Sequence, residues 1–205
     1  MTVEHTMIWQ RAIGMVGAAV DGDFGPGTLA ASMRVIPTPK EHIEDLPWVT
    51  EIKAVYGLQE VRDKVRLQAW LKSDGKTLGD PTALPWCGDA VETAVKLALP
   101  NEPFVGALAT NPYFARNWAT FGFAGIGYGA IGVFERGPTS GHVGFLVGED
   151  DTCFHVLGGN QSDSVCVTRI VKGRLIASRW PITWLEQPKP LPRRVAAIPV
   201  SVNEF

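Results

Sequence analysis

A chain of 205 residues, 45% of them hydrophobic, can bury a core of its own without disulfide staples, so a globular enzyme is allowed. Nineteen Lys and Arg against 21 Asp and Glu leave a formal net charge of −2, and no basic run is long enough to track a phosphate backbone, which argues against nucleic acid as a partner. The amino terminus lacks a basic stretch followed by an apolar run and cleavage site, and no apolar run approaches the roughly 20 residues a bilayer core requires. The expected product is soluble, made in the cytoplasm without a signal peptide, and not inserted in a membrane.

Residues 1–36 form one compositional unit, and the consecutive X-Pro steps of Pro37-Thr38-Pro39-Lys40 open a linker expected over 37–46. A main domain is expected over 47–187 and an extended tail over 188–205. Within the main domain, apolar periodicity predicts helices over Trp48–Tyr56 and Val61–Leu71, the second with Val61, Val65, Leu67 and Leu71 on its apolar face. A third helix should start at Cys87 and run until Pro100 stops it, with Asp89 and Glu92 in its first turns where the macrodipole favours acids. A short fourth helix fits Pro112–Thr120. From there the pattern alternates, predicting strands over Ile131–Arg136, His142–Val147, Thr152–Leu157, Ser164–Ile170 and Leu175–Trp180, separated by Gly, Asp and Ser turns. Helices followed by neighbouring short strands argue for an α+β domain with the helices packed on an antiparallel sheet.

Three cysteines, Cys87, Cys153 and Cys166, cannot all pair and contain no CxxC spacing, so neither a zinc site nor a dithiol redox site is expected, and no metal or cofactor is implied. Cys153 and Cys166 lie in alternating apolar stretches and read as small buried hydrophobes. Cys87 sits where a helix should begin, and free backbone N–H groups there favour the thiolate, the reactive form. Of the four histidines, His5 belongs to a terminus and His42 to the linker, whereas His142 heads an apolar strand directly after Ser140-Gly141 and is the candidate base. Asn160, after Gly158-Gly159 at a strand end, could return beside His142 and orient its ring, with His155 on the next strand as the alternative third member.

The strings Leu84-Pro-Trp-Cys-Gly-Asp-Ala90, Asn111-Pro-Tyr-Phe-Ala-Arg-Asn-Trp118, Gly141-His-Val-Gly-Phe-Leu-Val-Gly148 and Leu157-Gly-Gly-Asn-Gln161 resemble, in order, the CHAP and NlpC/P60 superfamily of cell-wall amidohydrolases, in particular a small phage-associated subgroup. The resemblance covers roughly residues 47–181. It implies a papain-like fold, with Cys87 as nucleophile, His142 as base and Asn160 as the orienting residue. It further suggests Trp86 and Gln161 as substrate-binding residues. Many CHAP domains carry a glutamate two residues before the matching asparagine, where this chain has Gly158. Papain-type enzymes often draw an oxyanion donor from a glutamine shortly before the cysteine, where this chain reads Asp80-Pro-Thr-Ala83.

Upstream, Val20-Asp-Gly-Asp-Phe-Gly-Pro-Gly-Thr28, preceded by Trp9-Gln10, is similar to the DGxFGxxT signature of peptidoglycan-binding modules. By that resemblance Asp21, Gly22, Phe24 and Gly25 would touch the cell wall, in a shortened helical segment. The expectation is a monomeric phage or prophage lysin that cuts an amide of bacterial peptidoglycan, reaching the wall after phage-mediated release or on the particle. The alternative is a wall-binding or structural part of a phage particle that kept the fold and lost turnover.

Overall fold

The computed structural model of the chain describes residues 45–194 together with residues 3, 10, 20, 21, 200 and 201. The chain divides into two compact units, Met1–Glu44 and Asp45–Phe205, so the division falls near the end of the expected linker. In the first unit Asp21 is exposed and accepts a hydrogen bond from Gln10 Nε2 at 2.7 Å. Gly22, Phe24 and Gly25, and most of the expected linker, lie outside the described residues.

The second unit opens with helix α1 (Pro47–Lys53), where Pro47 stands in the first turn, the place at which its missing N–H costs nothing. Helix α2 (Lys64–Leu71) is shorter than expected at its start. Gln59 Oε1 accepts the backbone N–H groups of Val61 and Arg62, and Asp63 Oδ2 accepts that of Gln59, so residues 59–63 form a side-chain-capped turn, closed by one bond from the Asp63 N–H to Gln59 O, and α2 begins only after it. In consequence Val61 and Val65 are exposed, at 68% and 82%, while Leu67 and Leu71 are fully buried. The apolar face predicted for this helix is therefore half of what the spacing suggested.

Helix α3 (Cys87–Ala98) is buried without interruption from Cys87 to Val95. It packs against α1 on one side and two strands of the sheet on the other. A short helix α4 (Gly106–Thr110), not foreseen, precedes a 3-10 helix over Ala115–Thr120, which replaces the α-helix expected from Pro112.

Six strands follow: β1 (Phe123–Ala124), β2 (Ile131–Glu135), β3 (Gly141–Glu149), β4 (Cys153–Gln161), β5 (Ser164–Val171) and β6 (Leu175–Trp180). They form one antiparallel sheet in the order β1-β6-β2-β3-β4-β5. The protein is thus a mixed structure of helices on an antiparallel sheet, as the α+β reading expected. Strand β4 outruns its predicted end at Leu157, because Gly158-Gly159-Asn160 continue as a bulge and Gln161 pairs again with Ser164. Ser162 and Asp163, with φ of 49° and 57°, close a two-residue hairpin whose positive φ values suit the twist of the flanking strands.

Four tryptophans anchor the core, and each places its ring N–H on an acceptor: Trp48 on Gly129 O, Trp118 on Pro112 O, Trp180 on Glu186 O and Trp86 on Glu60 Oε2. Trp48 meets Trp180 edge-on, with ring centroids 5.4 Å apart. The tail is no free arm over its described part. Arg193 and Val200 bridge in parallel to Glu149 and Arg169, and the Glu149 amide donates to Pro192 O.

Candidate active site

Cys87 is the first residue of α3, delivered by the non-helical Trp86. The helix start is wedged between two backbones. A Cβ on Gly88 would lie 2.3 Å from Tyr113 O, and one on Gly159 would lie 2.4 Å from Trp86 Cζ3 and 2.7 Å from Ala90 Cβ. Only glycine fits at both places: Gly88 lets the helix start approach the backbone of Tyr113, and Gly159 lets β4 approach Trp86 and α3.

The sulfur of Cys87 faces the backbone N–H of Val143, the residue after His142 on β3. The strand carrying the candidate base therefore runs past the sulfur, His142 being the residue just before the one whose amide faces it. Burial is the largest influence on the thiol and pushes it up. The Val143 amide, the charge of Arg136 and the amides of Gly88 and Cys87 itself pull the other way without prevailing. The low thiol expected of a helix start is thus corrected. At 3% exposure, desolvation outweighs the favourable amides.

His142 is fully buried, and its Nε2 stands 2.9 Å from Gln161 Oε1. The amide of Gln161 is itself oriented, since its Nε2 donates to Val156 O at 3.1 Å and to Cys166 O at 2.5 Å. Only the oxygen can then face the ring. A carboxamide oxygen accepts and cannot donate, so Nε2 of His142 carries the proton and Nδ1 is the basic nitrogen.

The roles expected from the motifs are redistributed accordingly. Gln161, expected at the substrate, is 1% exposed and orients the ring. Asn160, expected on the ring, makes no hydrogen bond to it. The register shift between Gly158 and Gln161 leaves Asn160 unpaired in left-handed backbone, φ 55°, on the wall of a cleft with Pro81–Pro85. His155 is ruled out by distance. Its strand partner Gly148 lies roughly 20 Å along β3 from His142, at about 3.3 Å per residue. His155 instead holds Asp150 Oδ2 at 3.0 Å, which also accepts from Arg169 Nε at 2.8 Å. That guanidinium keeps the Asp150 carboxyl far below the usual carboxylate range. Trp86, expected at the substrate, is 1% exposed and serves as packing between α3 and β4.

A cleft of about 200 Å³ opens beside the helix start, lined by Glu60, Pro81–Pro85, Asn160 and Asp163. Within α3 lies a second feature, where the sequence suggests only acids placed in the first turns of a helix. Asp89 and Glu92 are 0% and 2% exposed. Asp89 Oδ2 accepts from Thr77 Oγ1 and the Leu78 amide, yet burial pushes its carboxyl up to about 6. Burial, with the neighbouring Asp74 and Asp89 carboxyls, pushes Glu92 to about 8. Their signal in the sequence was the small and apolar residues that flank them on every side of the helix, Ala90, Val91, Ala94 and Val95.

Cys153 and Cys166 are unpaired, the first buried and the second half-buried. Cys166 Sγ donates to Gln161 O at 3.2 Å, a small side chain in the support of the site. Among the described residues no group of three or more His, Cys, Asp or Glu side chains is arranged to hold a metal ion, and no helix is long and apolar enough to cross a membrane.

No protein family, curated protein or solved structure matches the chain.

Proposed function

We propose that the chain is a cysteine-dependent peptidoglycan hydrolase of papain-like architecture, related to the CHAP and NlpC/P60 enzymes, that cleaves an amide through a thioester. The observation that carries this reading is the sulfur of Cys87 against the Val143 amide while the adjacent His142 has its tautomer set by Gln161. Nucleophile, base and orienting group then follow the Cys-His-amide logic of thiol hydrolases. The four motifs of the sequence supply the substrate class, bacterial cell wall.

In this mechanism Nδ1 of His142 takes the Cys87 proton as sulfur adds to the carbonyl carbon. The carbonyl electron pair moves onto oxygen, the C–N bond breaks, and the amine departs with the proton from the imidazolium. Water, deprotonated by the same ring, then hydrolyses the thioester. The chemistry is complete without a metal or cofactor. The wall-facing role of Asp21, Gly22, Phe24 and Gly25, action as a monomer, and delivery by a phage belong to the same proposal.

Purified protein added to isolated sacculi should release soluble fragments, and mass spectrometry of those fragments identifies the bond cut. Cys87→Ala should abolish release while circular dichroism stays native. Release by the alanine variant would remove the mechanism.

A second reading is favoured by one observation, the 3% exposure of Cys87. A thiol so shielded suits a phage structural component that binds the wall without turnover. Sacculus binding without any fragment release by the wild-type chain would select it.

A further inference from the structure

Asn160 is 4% exposed, and its side-chain amide makes no hydrogen bond to the described protein, with Nδ2 shielded from solvent. A buried amide without a partner costs about 1–3 kcal/mol, and here it coincides with left-handed backbone, φ 55°. The residue also lines the cleft formed with Pro81–Pro85, the segment that runs into Cys87. Its neighbours in sequence bracket the chemistry. Gly159 presses on Trp86 and Ala90 of the nucleophile helix, and Gln161 holds the base. A desolvated amide without a partner, on the residue between the glycine packed on α3 and the glutamine that holds the His142 ring, is suited to meet a developing oxyanion.

We infer that Asn160 is a substrate-contacting residue whose side-chain N–H donates to the substrate carbonyl oxygen in the cleft beside Cys87, supplying the donor that the segment before the cysteine lacks. As sulfur bonds to the carbonyl carbon and the C=O pair shifts to oxygen, the Asn160 amide meets that charge. The same bond is kept while the C–N bond breaks and again in thioester hydrolysis. A half-turn about χ2 exchanges its oxygen and nitrogen, so either atom can be presented to the cleft. The division of labour is between adjacent residues, Gln161 on the imidazole and Asn160 on the substrate.

This inference rests on the thiol-hydrolase reading, and the test separates the two. Wild type, Asn160→Gly, Asn160→Asp and Gln161→Ala are compared with two probes: the acylation burst of p-nitrophenyl acetate, and the pH profile of Cys87 modification by methyl methanethiosulfonate, which has no carbonyl. Glycine accepts φ 55° and so removes the amide without straining the bulge. Thermal melting confirms that each variant is folded. The expected result is a burst rate lowered about 10²-fold in both Asn160 variants, with the pH profile of Cys87 modification unmoved. Gln161→Ala should shift that profile. A displaced profile in Asn160→Gly would make Asn160 a positioning residue for the ring and overturn the inference while leaving the hydrolase intact. An undiminished burst in both Asn160 variants would overturn it equally. A wild-type chain that is modified at Cys87 but neither gives a burst nor cleaves sacculi would remove the hydrolase reading, and the inference with it.

Discussion

Gln161 Oε1 and His142 Nε2 lie 2.9 Å apart, while the other end of the same amide is tied to the Val156 and Cys166 carbonyls. One glutamine thereby translates the pairing of β4 with β5 into the tautomer of an imidazole on β3. Neutral carboxamide support differs from a carboxylate, because it fixes the ring without adding charge that would hold the imidazolium.

Gln161→Ala should reduce kcat on sacculi by about 10–100-fold, the usual cost of removing a partner that orients a functional histidine. It also leaves the Val156 and Cys166 carbonyls short of a donor, a loss of about 1–3 kcal/mol of stability. Steady-state kinetics with a parallel melting curve tests both. An unchanged kcat would show that the ring is held by other means.

Because burial dominates the Cys87 thiol, its alkylation in the resting protein should be half-maximal above the ordinary cysteine value of about 8.5. Arg136→Gln should move the midpoint further up, since the Arg136 charge favours the thiolate. Quenched labelling followed by peptide mapping reads the midpoint for Cys87 separately from Cys166. A midpoint below about 7, the range of activated thiols, would contradict the dominance of burial.

Glu92 binds a proton more tightly in the folded chain, near 8 against an ordinary 4.5. The folded state therefore holds more protons than the unfolded one between those values, and stability must fall as pH rises through that window. Each tenfold difference in proton affinity between the two states is worth about 1.4 kcal/mol, so the loss is on the order of a few kcal/mol by about pH 9. Glu92→Gln should flatten the decline and stabilise the protein at alkaline pH, as urea unfolding at about pH 5 and about pH 9 would report. Equal slopes for variant and wild type would refute the assignment.

Gly159→Ala would place a methyl 2.4 Å from the Trp86 ring and 2.7 Å from Ala90 Cβ. Such overpacking costs about 1–3 kcal/mol, and because the strain separates α3 from β4, activity should fall by more than stability alone explains. Val65→Ser on the exposed side of α2 is the control, expected within about 0.5 kcal/mol of wild type. Both follow from chemical denaturation with matched activity assays.

The local chain settled a good deal by itself. The start of α3 at Cys87, its end before Pro100, and strands over 131–135, 141–149, 164–171 and 175–180 are legible because helical and alternating periodicities are properties of neighbouring residues. Where a side chain competed for the backbone, periodicity failed. Gln59 and Asp63 turned residues 59–63 into a capped turn and exposed Val61 and Val65.

The choice between Asn160 and Gln161 was closed to sequence. Side chains alternate along a strand, so one bulged residue at Gly158-Gly159 reverses which of the two meets His142. The protonation of Cys87, Asp89 and Glu92 was closed for a different reason. A titrating group responds to how much water the rest of the fold removes, and only the packing of α3 between α1, β3 and β4 decided that.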